Sequence, residues 1–407
     1  MTSAVSLLQR LNGNKHLMNM KKILTLIVVL CLFQVSFSQE ADTGKTYRIG
    51  VFANLYLDSS FNGTTYKFSN QMPRHLLPGL DFTEGAMLAF DSLMIEQKIK
   101  VYLFDVRSVQ QSVAKLKAQN IFDSLDMMIG AVAGADYKQM ADIAFQKNIP
   151  FVSATFPNDG GVTNNPYTII INSTLPVHCE AIYNYIFKTD PTANIIYVRR
   201  KGVLEDRLNS YFDSYNKTTS GKTLLKWKTI TIADSIKPET LTPYLDSTTN
   251  NLVICGSLDE KFGVQLIGSS NNLRKNYPIE LIGMPTWEAM KDISNPDWKD
   301  LPIIYSTTFF NPGVGSSVSF AKVFSDKTFG RPSDLAYKGF ETTWYFVNLL
   351  LKHNTNLLKN LNDKTFKVFT DYDFRPVFNK TSGKADYYEN KRIYILRRNN
   401  GLVSRMN

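Results

Sequence analysis

From Tyr47 onward, short apolar runs rich in β-formers alternate with longer segments of helical spacing. YRIGVFA (47–53), VYLFDV (101–106), MMIGAVA (127–133) and PFVSA (150–154) are separated by helical patterns at 80–95, 109–122 and 138–147. Within 80–95, Leu80, Ala86, Met87, Phe90, Leu93 and Met94 share one broad face. The rhythm then restarts. Helical patterns at 175–187, 204–215 and 259–267 alternate with NIIYV (194–198), 225–232, NLVIC (251–255), IELIGM (279–284) and LPIIYST (301–307). A long aromatic helix at 333–353 and the run KRIYIL (391–396) close the series. Strands apolar on both faces, alternating with helices, predict parallel sheets covered on both sides.

Residues 1–38 read as an address. Lys21 and Lys22 precede an apolar run, Ile23–Phe33, that is shorter than the roughly 20 residues a membrane span needs. Small residues at Ser36-Phe37-Ser38 predict cleavage after Ser38. Met18 and Met20 are alternative starts, which would make residues 1–17 an over-extended beginning. Cys31 invites a lipoprotein reading, but Leu30 stands where a lipid-modified cysteine wants a small residue. The expected location is therefore periplasmic or secreted, without a lipid anchor.

The formal charge is +10, and removing Arg10, Lys15, Lys21 and Lys22 with the leader lowers it to +6. That surplus is scattered, with no block of like charges and no basic stripe, so nucleic acid is not an expected partner. The remaining length exceeds what one core usually serves, so two lobes are expected. No Pro/Gly/Ser-rich linker separates the halves, which argues for strand-like crossovers between them. Cys179 and Cys255 fit no metal or redox spacing and read as buried thiols.

Catalytic signatures fail. Ser220-Gly221-Lys222-Thr223 ends like a phosphate-binding loop, but Asn216 stands where that loop needs glycine. No GxSxG elbow occurs, and Gly313–Ser317 has the wrong spacing. His75, His178 and His353 are far apart and lack ligand spacing for a metal. The acid pairs Glu205-Asp206 and Asp259-Glu260 sit at helix starts, where surface or capping roles are the usual ones. No enzyme activity, cofactor or metal is expected.

The stretch from Met127 to Thr174 carries more. Ile129-Gly130 ends a strand in a Gly-containing turn, and Ala133–Asp136 opens a helix. Ile149-Pro150-Phe151-Val152-Ser153 is followed by Thr155, and then by Asn165-Pro166-Tyr167. In this order and spacing the chain resembles the type I periplasmic binding proteins, especially the branched-chain amino-acid and amide receptors of ABC transporters. Gly85-Ala86-Met87-Leu88-Ala89 is similar to that family's first helix, Asp105 to the acid ending its second strand, and Gly339-Phe340-Glu341 to its Gly-Tyr-Asp. The resemblance covers nearly all of 46–400.

The resemblance implies an α/β fold of two doubly wound parallel-sheet lobes joined by three crossovers, with a small polar solute held between them. It implies lobe one over 46–170 plus 308–370 and lobe two over 171–307 plus 371–407. Hinge crossovers are expected near 170–174, 307–311 and 371–378. Carried over by position, Ser153, Ala154 and Thr155 would hold the ligand, or Ser153 and Thr155 merely cap a turn. Where the family often has serine, this chain has Ala133-Gly134-Ala135-Asp136. Asp136 either meets the ligand beside Tyr137 or caps the helix starting there. The family's Tyr-Gly becomes Lys201-Gly202, after Arg199 and Arg200, which would suit an anion better than an ammonium group. Trp287, after the 279–284 strand, either stacks on the ligand or packs. The expected role is solute capture, amino-acid or amide-like, with a membrane permease as candidate partner. The alternative is a ligand-sensing or cell-envelope scaffold of the same fold.

Overall fold

A computed structural model describes residues 44–69, 71–94, 98–218, 224–233 and 235–407. The leader assigned to 1–38, with Cys31, and the turn at 220–223 lie outside the described residues.

The apolar runs become strands. Tyr47–Ala53 is β1, and a small hairpin, Phe61–Asn62 (β2) with Thr65–Tyr66 (β3), follows it. Ile99–Asp105 (β4), Met127–Ala131 (β5), Phe151–Ser153 (β6) and Thr168–Ile170 (β7) complete the first series. The second comprises Asn194–Arg200 (β8), Trp227–Ile232 (β9), Asn251–Cys255 (β10), Ile279–Ile282 (β11) and Ile303–Thr307 (β12). Phe374–Phe378 (β13), Ala385–Asn390 (β14), Tyr394–Asn399 (β15) and Leu402–Arg405 (β16) follow the long helix Asp334–His353.

Two seven-stranded sheets result. The first runs β4-β1-β5-β6-β7-β14-β13, parallel except for β13 at the edge. The second runs β9-β8-β10-β11-β12-β15-β16, parallel through β12 and antiparallel after it. Alternate residues of one strand enter opposite cores, as a two-faced sheet requires. Ile49 and Val51 of β1 pack with the helices Leu77–Leu93 and Asp334–His353, while Phe52 packs with the helix Gly134–Lys147. Likewise Ile196 and Val198 of β8 face one core, and Ile195 and Tyr197 the other.

The helices 77–93 and 334–353 meet backbone to backbone. A Cβ on Gly85 would lie 1.9 Å from the Ala336 carbonyl oxygen, and one on Gly339 would lie 2.0 Å from that of Phe82. The two glycine motifs singled out in the sequence are thus opposite sides of one contact.

One boundary read from the sequence does not hold. The stretch 371–407 was assigned to lobe two, yet β13 and β14 join the first sheet through the β14–β7 pairing. Only β15 and β16 enter the second sheet. The third crossover is therefore Lys391–Ile393, between β14 and β15, and not 371–378. Tyr388 and Glu389 pair in parallel with Ile169 and Ile170, so the chain returns to the first sheet before it leaves it for good.

The crossovers are laced together. The Asn390 amide donates to the Ile171 carbonyl (3.2 Å), and the Ser173 hydroxyl donates to the Asn390 carbonyl. The Thr174 N–H donates to buried Glu389 (2.7 Å), which also pairs with Lys391. The Thr308 hydroxyl, just after β12, donates to Asn172 (3.1 Å). Among the described residues no helix is long and apolar enough to cross a membrane.

Candidate functional site

A cavity of about 550 Å³ opens where the two sheets meet. Open α/β sheets gather loops and helix starts at the carboxyl ends of their strands, and this cavity is built that way. Phe156–Asp159 follow β6, Leu258 follows β10, and Pro285, Thr286 and Glu288 follow β11. Leu204, Arg207 and Tyr211 come from the helix Val203–Thr218 that follows β8. Asn172–Thr174 of the first crossover, with Leu175 and Pro176 at the start of the helix Leu175–Thr189, complete the lining.

The Asp159 turn is fixed from several sides. Its carboxylate accepts from the Gly161 N–H (3.0 Å) and the Tyr387 hydroxyl (3.1 Å), and its carbonyl accepts from the Tyr137 hydroxyl (3.2 Å). Gly160 has φ 59°, and a Cβ there would come within 2.7 Å of the Tyr137 ring, so the turn demands glycine. His178 is buried, and its Nδ1 lies 2.9 Å from the Ser306 hydroxyl. Burial, aided by the Lys338 ammonium, lowers His178 to about 3, so the ring is neutral. Burial pushes the Glu288 carboxyl up, opposed by Lys338 and the Thr307 hydroxyl. With His178 neutral, Arg207 is the one cationic side chain among the lining residues, and among the described residues it has no ion-pair partner.

None of the seven residues carried over by position lines this cavity. Ser153, at the end of β6, and Ala154, just after it, are buried, and the Ser153 hydroxyl has no hydrogen-bond partner among the described residues. Thr155 touches the site indirectly: its carbonyl accepts from the Asn172 amide (2.8 Å). Tyr137 is buried and supports the Asp159 turn from behind. Asp136 does not cap its helix, whose N-cap is Ala133, but pairs with Arg107 at 3.1 Å. Trp287 is 1% exposed and packs into the second sheet's core, while its neighbours Thr286 and Glu288 face the cavity. Lys201 is exposed. Arg199 and Arg200 are engaged, the first with Asp206 and the second with Glu205 (2.7 Å) and Asp259 (3.3 Å). The Asp259 carboxylate also caps its helix by accepting from the Phe262 N–H (2.8 Å).

The sequence reading missed Arg207, Tyr211, Asp159 and Tyr387. The spacing Leu204, Arg207, Tyr211 on one helix face was visible, but it is also the spacing of any amphipathic surface helix.

No protein-family model and no curated protein matches the sequence. Solved structures do match in three dimensions. A branched-chain amino-acid ABC transporter periplasmic ligand-binding protein from Burkholderia xenovorans is 11% identical, with 89% of this chain and 95% of that one covered at TM-score 0.62. An ABC transporter substrate-binding protein from Desulfitobacterium hafniense, solved in complex with Leu, is 13% identical (89% and 100% covered, TM-score 0.56). A leucine-binding protein from Thermotoga maritima is 13% identical (89% and 98%, TM-score 0.52). The fold is that of the type I periplasmic binding proteins. Among the described residues no three His, Cys, Asp or Glu side chains are grouped to hold a metal ion.

Proposed function

We propose that this chain is an extracytoplasmic solute-binding protein that captures a small polar ligand between two lobes and delivers it to a membrane permease. Each sheet with its helices moves as one lobe, 47–170 plus 316–390 for the first and 175–307 plus 394–405 for the second. The leader is cleaved after Ser38. The observation that carries the reading is the cavity itself, lined from both sheets and from the crossover that joins them.

The lining also suggests how a ligand is oriented. Arg207 offers an unpaired guanidinium, and Phe156, Tyr211, Leu258 and Tyr387 offer apolar and aromatic surface around it. A solute with an anionic end and a compact apolar or amide body matches that pattern, since a guanidinium makes charge-assisted, bidentate hydrogen bonds to an oxyanion. Asp159 and Glu288 would meet any donor group at the other end. No residue of the lining is assigned a chemical step.

The test is a thermal-shift screen of residues 39–407 against amino acids, amides, carboxylic acids, sugars and nucleosides, followed by calorimetry. A stabilising solute is expected, with affinity that falls about ten- to a hundredfold in Arg207→Gln. Full affinity in that variant would remove Arg207 from the site. A screen without any stabilising solute would favour the cell-envelope scaffold reading of the same fold.

A further inference from the structure

A second cavity, of about 430 Å³, lies on another face of the helix Leu175–Thr189. Four segments wall it, one of them Met406-Asn407 after β16. Glu180 and Lys188 come from that helix, Asp373 and Arg375 from the start of β13, and Lys391 and Arg392 from the third crossover. Four basic side chains face two acidic ones, a side-chain excess of two positive charges set against the terminal carboxylate of Asn407, the last residue of the sequence.

Pairing within the lining does not use up the positive charge. Arg375 holds Asp373 through two nitrogens, at 3.1 and 2.8 Å. Lys391 pairs with Glu389, outside the lining. Lys188 and Arg392 have no ion pair among the described residues. The Arg392 guanidinium lies 5.1 Å over the Tyr394 ring, and its buried Nε has no hydrogen-bond partner among the described residues. Buried donors are nearly always satisfied, and a guanidinium fixed on an aromatic face presents a planar fork suited to oxyanions.

We propose that this cavity is a second ligand site, for a small anion bearing two or more phosphate or carboxylate groups, held between Arg392 and Lys188. Its walls come from β13 of the first sheet, the helix Leu175–Thr189, the third crossover and Met406-Asn407. An anion held between Arg392 and Lys188 ties that crossover to the helix and resists hinge movement, so occupancy alters affinity at the cleft, and cleft occupancy alters anion affinity by the same factor. That coupling rests on the cleft reading; the binding does not.

The probes are pyrophosphate and citrate, titrated by calorimetry into residues 39–407 at low ionic strength. At least one should bind, and whichever does decides between phosphate and carboxylate recognition. Arg392→Gln and the exposed-site variant Lys188→Glu should each weaken binding at least tenfold, and Arg207→Gln should leave it unchanged. Equal thermal midpoints confirm that the variants fold. Failure of both anions to bind the wild type, or full binding in the Arg392→Gln/Lys188→Glu double variant, overturns the site. A cleft that binds no solute while pyrophosphate or citrate binds here would sink the cleft reading and leave this one standing.

Discussion

Glu341 is a carboxyl group 1% exposed in the long helix, accepting from the Phe369 N–H (2.8 Å), the Thr370 N–H (2.6 Å) and the Thr370 hydroxyl. Burial nevertheless raises it to about 7 from 4.5. Between those values the folded chain keeps a proton that the unfolded chain releases, so this group lowers stability as pH rises through the window. His178 acts in the opposite sense. Its unfolded imidazole takes a proton near 6.5 while the folded one stays neutral to about 3, so its share of stability is lost as pH falls below 6.5. Glu341→Gln keeps the acceptor for both N–H groups and removes the titration. Its stability relative to wild type should therefore grow between pH 5 and 7, measured by urea unfolding; a constant difference would refute the assignment. Single residues were the least legible part of the sequence. Asp136, Ser153 and Trp287 are expected from the sequence to be ligand contacts, but their side chains turn to Arg107 or into the cores. Side-chain direction at a strand end depends on register and on the turn that follows, and neither is written in residue type.

Elements were far more legible, because burial on both faces forces continuous apolar runs. Asn251–Cys255 is a strand from the first to the last residue of its run. β2, β3, β7, β13, β14 and β16 escaped, each for a physical reason. β2 and β3 are two residues each, β7 is three residues long, β13 contains Pro376, β14 (ADYYEN) is not an apolar run, and β16 is exposed throughout. Proline is tolerated at β13 because that strand is the sheet's edge. Two predictions belong to this scale. Gly339→Ala gains helix propensity but drives a methyl into the Phe82 carbonyl, so a net loss of about 1–3 kcal/mol is expected in urea unfolding. Asn390→Ala should cost about 2–4 kcal/mol. Its amide ties the first crossover, and its oxygen accepts from the Asp373 and Arg392 N–H groups. An unaffected Asn390→Ala variant would mean that the crossovers are held by the sheets alone.

The whole molecule has two sheets joined by three strands of chain, a plan suited to opening and closing about those strands. Small-angle scattering with a confirmed cleft solute should show a smaller radius of gyration; an unchanged radius would mark a rigid scaffold. The cleft was illegible at this scale because its lining is drawn from separate segments between Phe156 and Tyr387, which only the fold brings together. The strand order also sets a schedule. Until β14 arrives, β7 is a bare edge of the first sheet, and until β15 arrives, β12 is a bare edge of the second. Both edges are sealed by residues 374–405. A chain still being synthesised can therefore finish neither half, however much of each has emerged. The delay leaves two unpaired edges open to wrong partners.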